Sequence, residues 1–423
     1  MKPASLIFIY LFILIQPLSS ITITLWHSAL GKEAEVIEGL ATIFNLQSND
    51  INLRVENVRK EGQGWFISDY VVKKVKEGRG PDVFIWVNDK IGYWANHNII
   101  YPLDEFLDKD KIYEFLPSTV EAVKFNERYY GLPVAFECLI LFYNKKYIKN
   151  PPLTTDDLIK LAKEFTDKKH QLFGLCYQNR DFYHHAIWFN GFGAKLFDER
   201  GKPIVTSKEC RDSLIFAKRI ITNEKIFLLS SDIGGDEVSY DLQFKYFNEE
   251  KIAMMITGPW ALCSINSNID FGIAKLPFIK EANNWAEPYL GVKAIMITTS
   301  SKHKKEAFSV ASFYASSYAG YVFATQAGYQ PAAKGAYAYD EVNKNQFSIM
   351  FRNQAYNSKP LPNREEMEIV WNVMNGYWQT AGDPSTERKG IITLITIENG
   401  STEKVLKDYQ KIVDEEFKKM RKK

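Results

Sequence analysis

The sequence is poor in the residues that build metal and redox centres. Among 423 residues there are four cysteines, Cys138, Cys176, Cys210 and Cys263, and none are spaced as CxxC, which speaks against a zinc or dithiol site. Four cysteines allow three pairings, and spacing does not choose among them. Buried free thiols, or at most one bridge, are expected. Adjacent His184 and His185 are weak candidates for a shared metal ion, because neighbouring residues point apart on a helix and on a strand. No spaced set of tyrosines with a carboxylate is present, as a ferric-ion site needs. An excess of one charge is also missing. Fifty-three Lys and Arg stand against 51 Asp and Glu, a formal net charge of +2 that gives no global field toward nucleic acid. Past the amino terminus no apolar run approaches the ~20 residues of a spanning helix. There is no repeat, low-complexity tract or visible linker.

What is present is an ordinary globular balance, 46% hydrophobic and 25% charged, in a length that suits two or three domains or one large bilobed body. Aromatics reach 14%, enough for stacking platforms. At the amino terminus Lys2 precedes the apolar run Leu6 to Ile15, followed by Gln16-Pro17 and the small residues Ser19-Ser20. This reads as an export signal cleaved near Ser20, so the mature protein is expected to be exported and soluble.

The stretch Gly80-Pro81-Asp82-Val83-Phe84-Ile85-Trp86-Val87-Asn88-Asp89-Lys90 carries the densest signal. Gly80-Pro81 marks a turn, and Val83 to Val87 reads as a buried parallel strand. Ligands of open α/β sheets bind beyond the carboxyl ends of strands. Trp86, Asp89 and Lys90 would thus reach one crevice and offer a stacking face, a carboxylate and a cation to a neutral polyhydroxylated ligand. Upstream, Ile21 to Trp26 alternates as a strand, Glu33 to Asn45 has helical period, Ile51 to Val58 is a strand and Ser68 to Glu77 a helix. The order β-α-β-α-β predicts a parallel sheet with right-handed crossovers.

Downstream, Glu137 lies between two apolar runs, where a carboxylate is costly unless it lines a cleft. It marks a point where the chain could pass from one lobe to the next. Thr154-Thr155-Asp156-Asp157 opens a helix, Leu172 to Tyr177 reads as a strand, and Gln178 to His185 as a loop of polar and aromatic residues including Phe182. Lys208 to Asn223 and Asp241 to Phe247 are helical. Ile252 to Ile256 is a buried strand that delivers Trp260 behind a Gly258-Pro259 turn. Phe271 to Pro277 and Leu290 to Ile297 are further strands, the latter returning the chain to the first lobe. The remainder is helical by period, ending in Ser401 to Met420. Within Glu365 to Trp378, Trp371 and Trp378 are seven apart and share a predicted helix face.

Three of these motifs together, Gly80 to Trp86, Leu132-Pro133-Val134-Ala135-Phe136-Glu137 with Tyr143-Asn144, and Ile256-Thr257-Gly258-Pro259-Trp260, resemble the bacterial extracellular solute-binding proteins of the maltose/maltodextrin type. They occur in family order with similar spacing, and the likeness runs from Ile21 to about Tyr409. The resemblance implies the periplasmic-binding-protein form of α/β fold: two α/β lobes with multiple hinge crossings and a C-terminal helical part. Residues 21–136 with about 291–340 would form the first lobe, and about 137–290 with about 341–423 the second. It further implies a periplasmic, monomeric sugar-capture subunit that delivers a disaccharide or oligosaccharide to the membrane subunits of an ABC transporter. No cofactor, metal or nucleic acid is implied. Trp86, Asp89 and Lys90 would serve the first lobe, with Lys90 where the maltose binders have Arg, and Glu137 the first crossing. Trp260, Trp371 and the aromatic Phe182 would serve the second lobe, while Trp26 matches a structural position.

Two departures leave the ligand open among maltose, trehalose, a maltodextrin or another glucoside. Asn179-Arg180-Asp181-Phe182-Tyr183 displaces a family carboxylate, and Ser28-Ala29-Leu30-Gly31 lacks the Asp-Lys pair of maltodextrin-specific members. The alternative reading is a secreted glycoside hydrolase with Asp89 and Glu137 as acid and base. Against it, Lys90 beside Asp89 is expected to keep that carboxylate ionised.

Overall fold

The computed structural model describes residues 20–29, 31–61, 67–228, 232, 238–378 and 387–422. The amino-terminal run on which the export-signal expectation rests, 1–19, lies outside them. The strand Ile21–His27 pairs in parallel with Ile51–Asn57 on one side and Val83–Val87 on the other, as the β-α-β-α-β order predicts. Val36, Ile37, Leu40, Ala41 and Phe44 give the helix Gly31–Gln47 the buried stripe that holds it against this sheet.

Strands from later in the chain complete the sheet. Tyr289–Ile297 runs antiparallel to Val83–Val87, and Leu132–Cys138 antiparallel to Tyr289–Ile297. Gln330–Pro331 closes that edge, and the short strand Lys359–Pro360 pairs with the start of Tyr289–Ile297. The sheet is thus mixed, because one of these strands carries the chain out of the first lobe and its neighbour carries it back. The second lobe has a four-stranded sheet in the order Phe271–Ala274, Ile140–Asn144, Ile252–Thr257, Phe173–Cys176. Only its last pair is parallel. The chain leaves the first sheet at the buried Leu139 and returns at Tyr289.

Asn88 ties these passages together. It is fully buried; its amide donates to the Leu361 carbonyl at 2.9 Å and its carbonyl accepts from the Val292 N–H at 3.0 Å. The turn after Val83–Val87 is thereby fixed to both later passages between lobes. The late helices divide between the lobes. Lys304–Tyr314 and Ser317–Ala327 pack on the first sheet. Met367–Asn375, Ile391–Thr396 and Thr402–Met420 share a core with Phe182 and Phe189 in the second lobe.

Two expectations are corrected. The segment read as a loop through His185 becomes a helix at Phe182–Gly191, with Asp181 as N-cap accepting from the Tyr183 N–H at 3.2 Å. Nine of its ten residues are buried, so no amphipathic stripe announces it. The helix read from Glu365 to Trp378 spans Met367–Asn375. Gly376, at φ +91°, turns the chain into the strand Gly376–Trp378 paired with Glu387–Lys389, so Trp371 and Trp378 do not share a helix face. The helix Lys208–Lys218 continues as one π-helical turn, Arg219–Asn223. Cys138, Cys176 and Cys210 are buried free thiols.

Candidate functional site

Two cavities open between the lobes, each walled by both. The larger, about 1020 Å³, takes Asp89 and Lys90 from the first lobe and Glu368 and Trp371 from the second. The smaller, about 240 Å³, takes Lys32, Glu33 and Tyr329 from the first and Pro259 and Trp260 from the second.

The three-residue turn Asn88–Lys90, pinned through Asn88, presents Asp89 and Lys90 to the larger cavity. Trp86 is half-buried, and its indole N–H donates to Asp89 Oδ1 at 3.2 Å. Burial pushes the Asp89 carboxyl up to about 6, against the opposing pull of Lys90 and the indole. The expectation that Lys90 would keep Asp89 from rising is therefore corrected. Burial outweighs it, and the Lys90 ammonium is shared with Glu368, 3.1 Å away on the opposite lobe.

Trp371 is half-buried on the helix Met367–Asn375, with one side open to the larger cavity. Its other side meets Phe182 edge-on at 5.6 Å. The expectation for Phe182 is corrected as well. It is 0% exposed, packed among Phe189, Tyr289 and Trp371, so its ring backs Trp371 instead of facing a ligand. The helix that the sequence hid explains this, since the first residue after the Asp181 cap turns into the core.

Trp260 stands behind Gly258, over whose backbone the indole folds. A Cβ at Gly258 would fall 2.2 Å from the ring, so glycine is required there. Tyr240 meets the indole edge-on at 6.0 Å. The Trp260 indole N–H and the Tyr183 hydroxyl are buried without a hydrogen-bond partner among the described residues. Buried donors are nearly always satisfied, so orphaned ones at a cleft point to a ligand.

Glu137 is half-buried on Leu132–Cys138, opposite Gly291, whose missing side chain leaves it room. Burial raises its pKa, Lys293 lowers it and Glu33 raises it. Lys293 is a member of this cluster that the sequence reading did not single out. Its ammonium pairs with Glu33 and lies 2.9 Å from the Tyr329 hydroxyl, which in turn donates to the other Glu33 oxygen at 2.9 Å. Burial alone would lower the Lys293 pKa; Glu33, Tyr329 and Glu137 outweigh it and hold the lysine charged. The available signal was a lone cation in the apolar run Tyr289–Ile297.

Among the described residues no group of His, Cys, Asp or Glu is arranged to hold a metal ion, and no helix is long and apolar enough to cross a membrane. His184 Nδ1 pairs with Asp181 at 2.8 Å, and His185 faces Ser213 at 3.3 Å. Trp26 is core, stacked on Tyr70 at 5.2 Å. What the site offers is an indole on the second-lobe wall of each cavity, half-buried carboxylates on the first-lobe side and unpartnered donors. These suit recognition of hydroxyls and C–H faces.

Comparison with known proteins agrees with this architecture. The maltotriose-binding protein of Pyrococcus abyssi is 26% identical over 359 residues, covering 84% of this chain and 76% of that protein. The maltooligosaccharide ABC transporter solute-binding lipoprotein of Streptococcus pneumoniae is 25% identical over 333 residues, covering 76% and 77%. A cyclo/maltodextrin-binding protein complexed with maltotetraose superposes with a TM-score of 0.78 at 23% identity, over 93% of this chain and 97% of that one. A family model for bacterial extracellular solute-binding proteins matches residues 41–320. With that match spanning most of the chain, and the two-lobed fold that goes with it, the chain belongs to the bacterial extracellular solute-binding protein family.

Proposed function

We propose that the protein captures a malto-oligosaccharide between its lobes and hands it to the membrane subunits of an ABC importer. The observation that carries this is the pairing of walls: Asp89 and Lys90 from one lobe meet Trp371 from the other, with Trp86 behind Asp89, and Lys32 and Glu33 meet Trp260. A ligand that touches both walls favours the closed arrangement over the open one, which is the thermodynamic condition for closure on binding. The glucan identity is supported by the names of the similar proteins, which bind maltotriose or maltodextrins. In this reading Asp89 and Glu137 accept hydrogen bonds from hydroxyls, Lys90 donates, and Trp371 and Trp260 stack. One chain supplies both walls, so no second copy is required.

Capture outside the cell requires export, which the apolar amino-terminal run supports, with processing near Ser20 and a periplasmic location. The lobes divide at the passage through Leu139 and at the return into Tyr289–Ile297. Reversible capture, not hydrolysis, suits a site whose two carboxylates serve different neighbourhoods, Asp89 beside Trp86 and Lys90, Glu137 beside Lys293.

Titration calorimetry with maltose, maltotriose, trehalose and a galacto-oligosaccharide tests the reading. Stoichiometric binding of the malto-series, with the sugar recovered intact by mass spectrometry, is expected. A shortened sugar, or no binding across the panel, overturns it.

A further inference from the structure

We propose that Asn399 is an acceptor for N-linked glycosylation, carried on the turn between the helices Ile391–Thr396 and Thr402–Met420. The chain has 26 asparagines, and Asn399 alone is followed two residues later by Ser or Thr, in Asn399-Gly400-Ser401. That triplet, with any residue but Pro in the middle, is the acceptor signal of secreted chains. The proposal therefore rests on the export reading. It is independent of which ligand the cleft takes, since here a glycan becomes part of the protein.

A transferase needs both signal side chains free on an accessible turn, and this turn offers both. Its middle is fixed: the Gly400 N–H donates to the Leu394 carbonyl at 2.8 Å, and a Cβ at Gly400 would fall 2.9 Å from that oxygen. The residues on either side, Asn399 and Ser401, are exposed. Asn399 has φ +62°, a left-handed conformation that glycine adopts as readily, so the backbone has no need of its amide. Ser401 stands at the N-cap of Thr402–Met420, where a serine hydroxyl ordinarily accepts from a first-turn N–H. Here it makes no such bond, so the cap does not use it. Neither the Asn399 amide nor the Ser401 hydroxyl has a hydrogen-bond partner among the described residues. Two unspent polar side chains, exposed and at the spacing of the signal, are the observation that carries the proposal.

The glycan donor is an oligosaccharide joined through a diphosphate to a lipid. A bond forms between Asn399 Nδ2 and the anomeric carbon of the glycan, and the bond from that carbon to the diphosphate oxygen breaks. Nδ2 gives up one proton, and the lipid diphosphate leaves with the bonding pair. The modified turn stands clear of the cleft. Ile412 is the first residue of the Thr402–Met420 helix to line the larger cavity, so ~15 Å of helix separates the turn from the captured ligand.

The test is peptide mass spectrometry on the protein isolated from the envelope of its native host, as wild type, Asn399→Gln, Ser401→Ala and Ser401→Thr. Trypsin cuts after Lys389 and Lys404, which puts the site on one peptide, 390–404. A glycan mass increment on that peptide is expected in the wild type and in Ser401→Thr, and is expected to be lost in Asn399→Gln and Ser401→Ala. All four positions of change are exposed, so the folded protein is expected in each case with the same melting temperature before glycan addition. An envelope protein whose 390–404 peptide has its bare polypeptide mass overturns this proposal alone. So does an increment on that peptide that survives in Asn399→Gln. A chain confined to the cytoplasm overturns the export reading and this proposal with it.

Discussion

The Lys90 ammonium sits 3.1 Å from the Glu368 carboxylate, joining the turn after a first-lobe strand to a second-lobe helix across the open cavity. Both side chains are substantially exposed, 39% and 58%, so the pair contributes below about 1 kcal/mol to stability. Glu368→Gln is therefore expected to shift the melting temperature by no more than a few degrees. Its larger effect is on Asp89, because Lys90 is then free to serve that carboxylate alone. The pH midpoint of sugar affinity should move down in Glu368→Gln and up in Lys90→Met, read by calorimetry across pH. Identical profiles in all three proteins would mean that Lys90 does not feel Asp89.

Affinity should fall as pH falls through about 6. Burial holds the Asp89 carboxyl near that value, so in the free protein it is protonated below and ionised above. Sugar hydroxyls donating to it favour the ionised form, and one proton is taken up per lost site, giving at most about tenfold weaker binding per pH unit. Asp89→Asn should be weaker at pH 7.5 and flat across this window. The free protein carries the opposite dependence: a folded pKa raised above the unfolded one stabilises below about 4, and that stability is lost as pH rises through 6. Melting curves of the free wild type and of Asp89→Asn, compared between pH 4 and 7, check the sign.

Trp371→Ala and Trp260→Ala should each weaken binding by roughly 1–3 kcal/mol with little loss of stability, since each indole presents a face to a cavity. Phe182→Ala should instead cost about 3–5 kcal/mol of stability, the range for emptying a buried aromatic site. Melting temperature and sugar titration together separate the two roles. A Phe182 variant that melts like wild type would show that the ring is not core.

Lys293→Met is expected to destabilise by about 3 kcal/mol, because it strands the largely buried Glu33 carboxylate near Glu137 without its cation. The double change with Glu33→Gln should recover most of that loss. A double-mutant cycle by denaturation measures it; additive losses would show that the two side chains do not interact.

Much of the fold was legible because local patterns and tertiary contacts agree. Val83 to Val87 reads as a buried strand and is one, and the order of the first three strands follows from their connections. The failures have physical causes. Phe182 hides in a helix buried on every side, where no stripe separates core from solvent. Trp371 and Trp378 keep a seven-residue spacing across Gly376, whose positive φ ends the helix between them. Lys293 and Glu33 are 260 residues apart, and only the folded sheet brings them together. The pKa of Asp89 depended on how deeply its turn sits, which spacing does not encode.

Asn88 has a mechanical consequence. A side chain that grips the Leu361 carbonyl and the Val292 amide at once pins two of the passages between lobes to one point. Two bodies pinned at one place cannot slide apart there and are left only with rotation about that pivot. Any ligand that bridges the walls can then act on the lobes only by turning them about that pivot, so a change at Asn88 would be felt at every part of the cleft at once.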